Sequence, residues 1–177
     1  MYTSMVHFRV TTEIRAPPQF VADWWWDYSP TDQSITPGMA GREVERVDDR
    51  TVRLTTHTQF DGHIRTTIGT VTRTGPANWH ITGHVSSGGH VVSTLQTSYF
   101  VAPTSDGTRL EADFEFVGRT FPWKLALAFA RFSLRRDRAR TFRQYARLIE
   151  GEFAADPSAR PPGPPRTERL VDPPPAS

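Results

Sequence analysis

Polar and apolar positions alternate through most of the chain up to Val117, then recur every three or four residues. In the first segment Val6, Phe8, Val10 and Ile14 fall on one face, the pattern of a half-buried strand. Pro17-Pro18 stops that strand and suits the first turn of a helix. The helix should run from Gln19 to about Tyr28, with Phe20, Val21, Trp24 and Tyr28 on its inner side. Ser29-Pro30 ends it, and residues 31–41 read as a loop or a second short helix. Six strands follow, at about 42–47, 51–60, 63–73, 79–85, 91–101 and 109–117. Turn residues separate them: Asp48-Asp49-Arg50, Asp61-Gly62, Thr74-Gly75-Pro76, Gly88-Gly89 and Ser105-Asp106-Gly107. The short connections predict antiparallel pairing. A long helix then runs from about Pro122 to Glu152. Its apolar positions are Leu125, Ala128, Phe129, Phe132, Ala139, Phe142, Ala146, Ile149 and Phe153, interrupted once at Arg135-Arg136. One long amphipathic helix after a meander must bury its apolar face against the sheet, and a sheet curved around one helix can enclose a cavity.

Turn chemistry fixes which side chains face that helix, because they alternate with period two. A two-residue Asp61-Gly62 turn pairs Phe60 with His63, Thr58 with Arg65, Thr56 with Thr67, Leu54 with Gly69 and Val52 with Val71. The apolar members mark the inner face, which places His63 and Arg65 inward among threonines. A buried guanidinium needs an anionic or carbonyl partner. At Asp106-Gly107 the same reasoning pairs Val101 with Ala112 and Tyr99 with Phe114. Leu95, Thr97, Tyr99, Val101, Leu110, Ala112, Phe114 and Phe116 then face inward, and Arg109, Glu111, Asp113 and Glu115 face water. A two-residue Gly88-Gly89 loop conflicts with this by turning Val92, Thr94 and Gln96 inward. Either that loop is longer or the strand is bulged near Val91–Leu95. Trp79, Ile81, Gly83 and Val85 read as inward, with Gly83 at a bend or a close ligand approach.

Composition narrows the function classes. The chain has no cysteine, which excludes disulfides, thiolate metal sites and a cysteine nucleophile. His80 and His84 sit about 13 Å apart along a strand, too far to share a zinc ion, so no metal site and no cofactor are expected. No segment reads as a signal peptide or a membrane span, which makes a cytoplasmic location the default. Net charge is only +2, yet seven arginines lie between Arg131 and Arg147 with Asp137 the sole acid among them. This run is a solvated face or a site for an anionic partner. Nucleic acid is disfavoured as that partner, since no recognition motif accompanies the charge. Residues 154–177 carry eight of the fifteen prolines. They read as a disordered, polyproline-like tail beside a single domain of residues 1–153, and the tail is a candidate docking segment for a protein partner. Oligomeric state is left open.

The order of strand, short helix or two, six strands and long helix resembles the helix-grip fold of the START-domain, polyketide cyclase and birch-pollen-allergen superfamily (SRPBCC). The opening Ala16-Pro17-Pro18, followed by a helix carrying Val21 and Trp24, strengthens the resemblance, which covers about residues 5–153. It implies an α+β fold in which an antiparallel seven-stranded sheet wraps one long C-terminal helix. It also implies a cavity for a hydrophobic or aromatic, polyketide- or lipid-like compound. No catalytic signature accompanies it. Candidate cavity contacts are Trp24, Tyr28, Thr56, Thr58, Phe60, Trp79, Phe114, Phe116, Phe129 and Phe132. If the protein is a polyketide cyclase or dehydratase, it needs a base and a donor to the developing enolate. His63 or Asp27 could serve as the first, Arg65 or Tyr99 as the second. Asp27 shares one side of the first helix with Asp23. The alternative reading is a non-catalytic carrier or regulatory binder of lipid-like ligands.

Overall fold

The computed structural model describes residues 5–27, 39–60, 62–157 and 168–169. Strand β1 (Met5–Ile14) leads into helix α1 (Pro18–Asp27). Strands β2 (Met39–Arg46), β3 (Thr51–Phe60), β4 (His63–Gly75), β5 (Asn78–Ser87), β6 (His90–Thr104) and β7 (Gly107–Gly118) then form a meander, and helix α2 (Phe121–Ala155) follows. All neighbours are antiparallel, in the order β1-β7-β6-β5-β4-β3-β2, so β1 closes onto β7 rather than β2. Within the stretch read as a tail, Glu168–Arg169 adds a two-residue strand, β8, to β2. The long helix, expected to stop near Glu152, continues to Ala155. The expected loop or second helix falls largely on residues 28–38, outside the described residues. No described helix is long and apolar enough to cross a membrane.

The β3–β4 register is the one that an Asp61-Gly62 turn dictates, from Phe60 opposite His63 to Val52 opposite Val71. Gly62 takes a positive φ of 75°, the conformation that glycine adopts without steric cost. The β6–β7 register differs from expectation. Thr104 pairs with Gly107, Val101 with Leu110, Tyr99 with Ala112 and Thr97 with Phe114. The turn is centred one residue earlier than the Asp-Gly signal suggests. That slides each partner by two residues, and an even slide preserves the faces. The Gly88-Gly89 conflict resolves as a bulge. Ser86 pairs with Val91 but Val85 with Ser93, so Val92 is the extra residue and alternation resets behind it. Gly83 stands opposite Gly69, and a Cβ there would collide with the Ile68 carbonyl oxygen. Its role is close approach between strands β4 and β5.

Polar residues on the outer face pair across strands. Arg9 binds Asp113 through two hydrogen bonds of 2.9 and 2.8 Å, and Arg109 binds Glu13 at 2.9 Å. The inner face carries Val6, Phe8, Val10, Val52, Val71, Leu110, Ala112, Phe114 and Phe116 into one core with α1 and the C-terminal half of α2. Trp24, Trp25 and Trp26 are all buried, which three consecutive residues achieve only when a helix is covered on several sides. Trp24 turns to α2, where its indole nitrogen donates to Glu152 Oε2 at 2.7 Å. Trp25 packs on Trp79, Tyr99, Phe142 and Tyr145. Trp26 carries the Arg73 guanidinium 5.6 Å from its ring centre. Arg73 also donates to Asp23 at 3.1 Å and to the Pro76 carbonyl at 2.8 Å, fixing α1 to the β4–β5 turn.

Candidate functional site

A cavity of about 230 Å³ lies between the curved sheet and the inner sides of α1 and α2. Each wall follows from strand alternation or helix spacing. Strands β3 and β4 contribute Leu54, Thr56, Thr58, Thr67 and Gly69, alternate residues on the inner face. Ile81, Leu95, Thr97, Tyr99, Phe114 and Phe116 form the floor. Trp24 and Trp25 enter from α1, and Arg138, Thr141, Phe142 and Tyr145 from α2. Met39 and Arg42 close the β2 side.

The rings make a continuous aromatic wall. Tyr99 stacks on Trp79 at 5.2 Å and on Phe142 at 6.2 Å, and Trp25 meets Phe142 at 5.2 Å. Two guanidiniums open onto it, Arg42 from the sheet and Arg138 from mid-helix, the latter 5.6 Å from the Phe114 ring centre. Among the described lining residues there is no carboxylate and no imidazole. Burial drives the Tyr99 phenol well above its ordinary range, and the positive charges of Arg138 and Arg42 offset this only in part. Tyr99 is therefore a neutral hydroxyl donor at any physiological pH. Five threonine hydroxyls complete the polar set.

The structure brings Trp24, Thr56, Thr58, Phe114, Phe116 and Tyr99 together on the cavity. It separates the others. Trp79 is 2% exposed and stacks beside Tyr99, its cross-strand partner, outside the lining. Phe60 keeps its register with His63, but its side chain, like Tyr28, lies outside the described residues. His63 follows the turn at the sheet's end, where it is exposed and off the cavity. Arg65 is on the helix-facing side as its register requires, yet its guanidinium caps the Trp123 ring at 4.8 Å near the start of α2 instead of entering the cavity. Asp27 lies at the end of α1 and is half-buried without touching the cavity.

Phe129 and Phe132 need the firmest correction: they are 80% and 83% exposed and project away from the sheet. Leu125, in the same stripe, is also exposed. Two apolar rows run along α2. The inner row is Leu127, Leu134, Phe142, Tyr145 and Ile149, and Arg138, four residues before Phe142, belongs to it. Arg135 and Arg136, which interrupt the apparent stripe, point to water. Sequence reasoning missed Trp25, Arg42, Arg138, Thr141 and Tyr145 as lining. The signal for Arg42 was present. Carrying the β3 register one strand further pairs Arg42 with the inward Thr56. Arg138 follows from counting back along α2 from Phe142.

Solved structures share this architecture. The ZhuI aromatase/cyclase from Streptomyces sp. R1128 superposes with a TM-score of 0.65 at 19% identity, over 88% of this chain and 97% of that one. The di-domain aromatase/cyclase StfQ of the steffimycin biosynthetic pathway gives 0.68 at 14% identity, over 85% of this chain and 52% of its own. Ara h 8.0201 gives 0.57 at 11%, over 86% and 99%. No curated protein matches the sequence. The family model described as "Polyketide cyclase / dehydrase and lipid transport" matches residues 5–150. With the helix-grip architecture and an internal cavity in place, that match, spanning most of the chain, makes this protein a member of the polyketide cyclase/dehydrase and lipid transport family of the SRPBCC superfamily.

Proposed function

We propose that the protein binds a small aromatic, polyketide-like compound that carries acidic oxygens, a phenol, an enol or a carboxylate. One observation carries this reading: the Arg138 guanidinium, with Arg42 on the same chamber, faces aromatic walls whose described lining offers no carboxylate. Desolvating cations is costly without an anionic or strongly accepting partner. A ligand with flat rings and oxygens on one edge supplies both requirements. Its rings stack in the Trp25, Tyr99, Phe114 and Phe142 wall, and its oxygens accept from Arg42, Arg138 and Tyr99. The cavity is smaller than the roughly 300–1,000 Å³ common for drug-sized ligands, which favours a compound of a few fused rings. An unfunctionalised acyl chain would offer the Arg138 guanidinium no acceptor.

A cyclase or dehydratase is the second reading, and Tyr99 favours it. A neutral phenol beside two positive charges stabilises an enolate as it forms. Of the two proposed bases, neither His63 nor Asp27 reaches the cavity, so the proton would leave to water or to the substrate's own oxygens. Native mass spectrometry of the purified protein tests binding directly. The expected result is a co-purified or added hydroxynaphthoate retained by the wild type and lost from Arg42→Leu. Equal retention by both would remove Arg42 from the site, and preference for naphthalene over hydroxynaphthoate would refute the acidic-oxygen reading.

A further inference from the structure

The outward face of α2 presents an exposed apolar and cationic row. Phe121, Leu125, Phe129 and Phe132 are between 52% and 83% exposed and recur at intervals of four, four and three. The interval pattern continues without a break into Arg136, Arg140, Arg143 and Arg147, all exposed. One helix face therefore holds an apolar half and a cationic half, each spanning roughly 16 Å at 1.5 Å per residue. Among the described residues no carboxylate pairs with any of these four arginines. The row lies across the helix from Leu127, Leu134 and Phe142 and shares no residue with the cavity.

We propose that this row docks the protein on an anionic lipid bilayer, the Phe half entering the acyl boundary and the Arg half lying over the phosphates. Protruding rings on a convex helix match a fluid apolar phase, and a line of guanidiniums beside them matches phosphate. A second copy of the chain fits less well. Parallel helices would set arginine against arginine. Antiparallel helices could overlap only the short Phe half, far less than the roughly 800 Å² per partner of a specific dimer.

Co-sedimentation of the full chain with vesicles tests the proposal. The vesicles are phosphatidylcholine alone or with about one third phosphatidylglycerol, at low and high salt. The wild type should partition at least about tenfold more strongly onto the anionic vesicles, and high salt should weaken that binding. Phe129→Ser/Phe132→Ser and Arg140→Glu/Arg143→Glu should each lose about tenfold or more, with circular dichroism unchanged. No sedimentation of the wild type, equal binding to neutral vesicles, or binding unmoved by either double variant would overturn the proposal. So would a dimer in solution that Phe129→Ser/Phe132→Ser dissolves, which would assign the row to a second copy.

Discussion

The two halves of α2 contain similar apolar residues and send them to opposite places. In the C-terminal half Phe142, Ala146 and Ile149 are buried against β1, β7 and α1, and Phe153 meets Phe20 at 5.2 Å. In the N-terminal half Phe121, Phe129 and Phe132 stand in solvent, and Leu127 alone is buried. The difference lies in what each half rests on. Trp24 and Trp25 of α1 reach Phe142 and Tyr145, whereas Trp123 near the helix start meets the Arg65 guanidinium. Apolar periodicity reports that a face exists, and only the neighbouring elements decide which way it turns.

Truncating the buried half should give the largest effect. Phe142→Ala should cost about 3–5 kcal/mol of unfolding free energy in chemical denaturation, and Ile149→Ala about 2–5 kcal/mol. Phe129→Ala should stay within about 0.5 kcal/mol. Equal losses would erase the contrast. Next comes ligand affinity: Arg138→Leu should weaken hydroxynaphthoate binding by about 10- to 100-fold, the worth of a charge-assisted hydrogen bond, while leaving the fold as stable as the wild type or more so. A marked loss of stability would show that Arg138 serves the fold rather than a ligand.

Tyr99 adds a pH signature. Burial raises its folded-state pKa, so the folded protein keeps this proton after the unfolded chain has released it. Its contribution to stability is complete below about pH 10 and declines as pH rises beyond that. Tyr99→Phe should flatten this alkaline decline in denaturation curves, and an unchanged slope would place its origin elsewhere. A modest effect belongs to the α1–α2 tie. Trp24→Phe removes the donor to Glu152 and should cost about 1 kcal/mol.

Much of the sheet was legible because turns and alternation are local. The Asp61-Gly62 register was readable residue by residue, and the inward set on β6 and β7 survived a turn centred one residue away. That register also placed Thr56, Thr58, Phe114 and Tyr99 on the cavity side. The helix was harder. An apolar residue every three or four positions fits either of two rows, and Leu125, Phe129 and Phe132 fit as well as Leu127, Leu134 and Phe142. Arg42 and Arg138 stayed hidden because charged residues are read as solvated until a register carries them inward. Arg65 shows the converse. Its face was legible, but its depth depended on Trp123, far away in sequence.

The most direct test is a fluorescence titration of hydroxynaphthoate into three proteins side by side: wild type, Arg138→Leu and Phe129→Ser/Phe132→Ser. The cavity account predicts saturable quenching of the wild type and of the outer-face variant with equal affinity, and a loss of about tenfold or more for Arg138→Leu. Equal affinity in all three, or a loss confined to the outer-face variant, would contradict it.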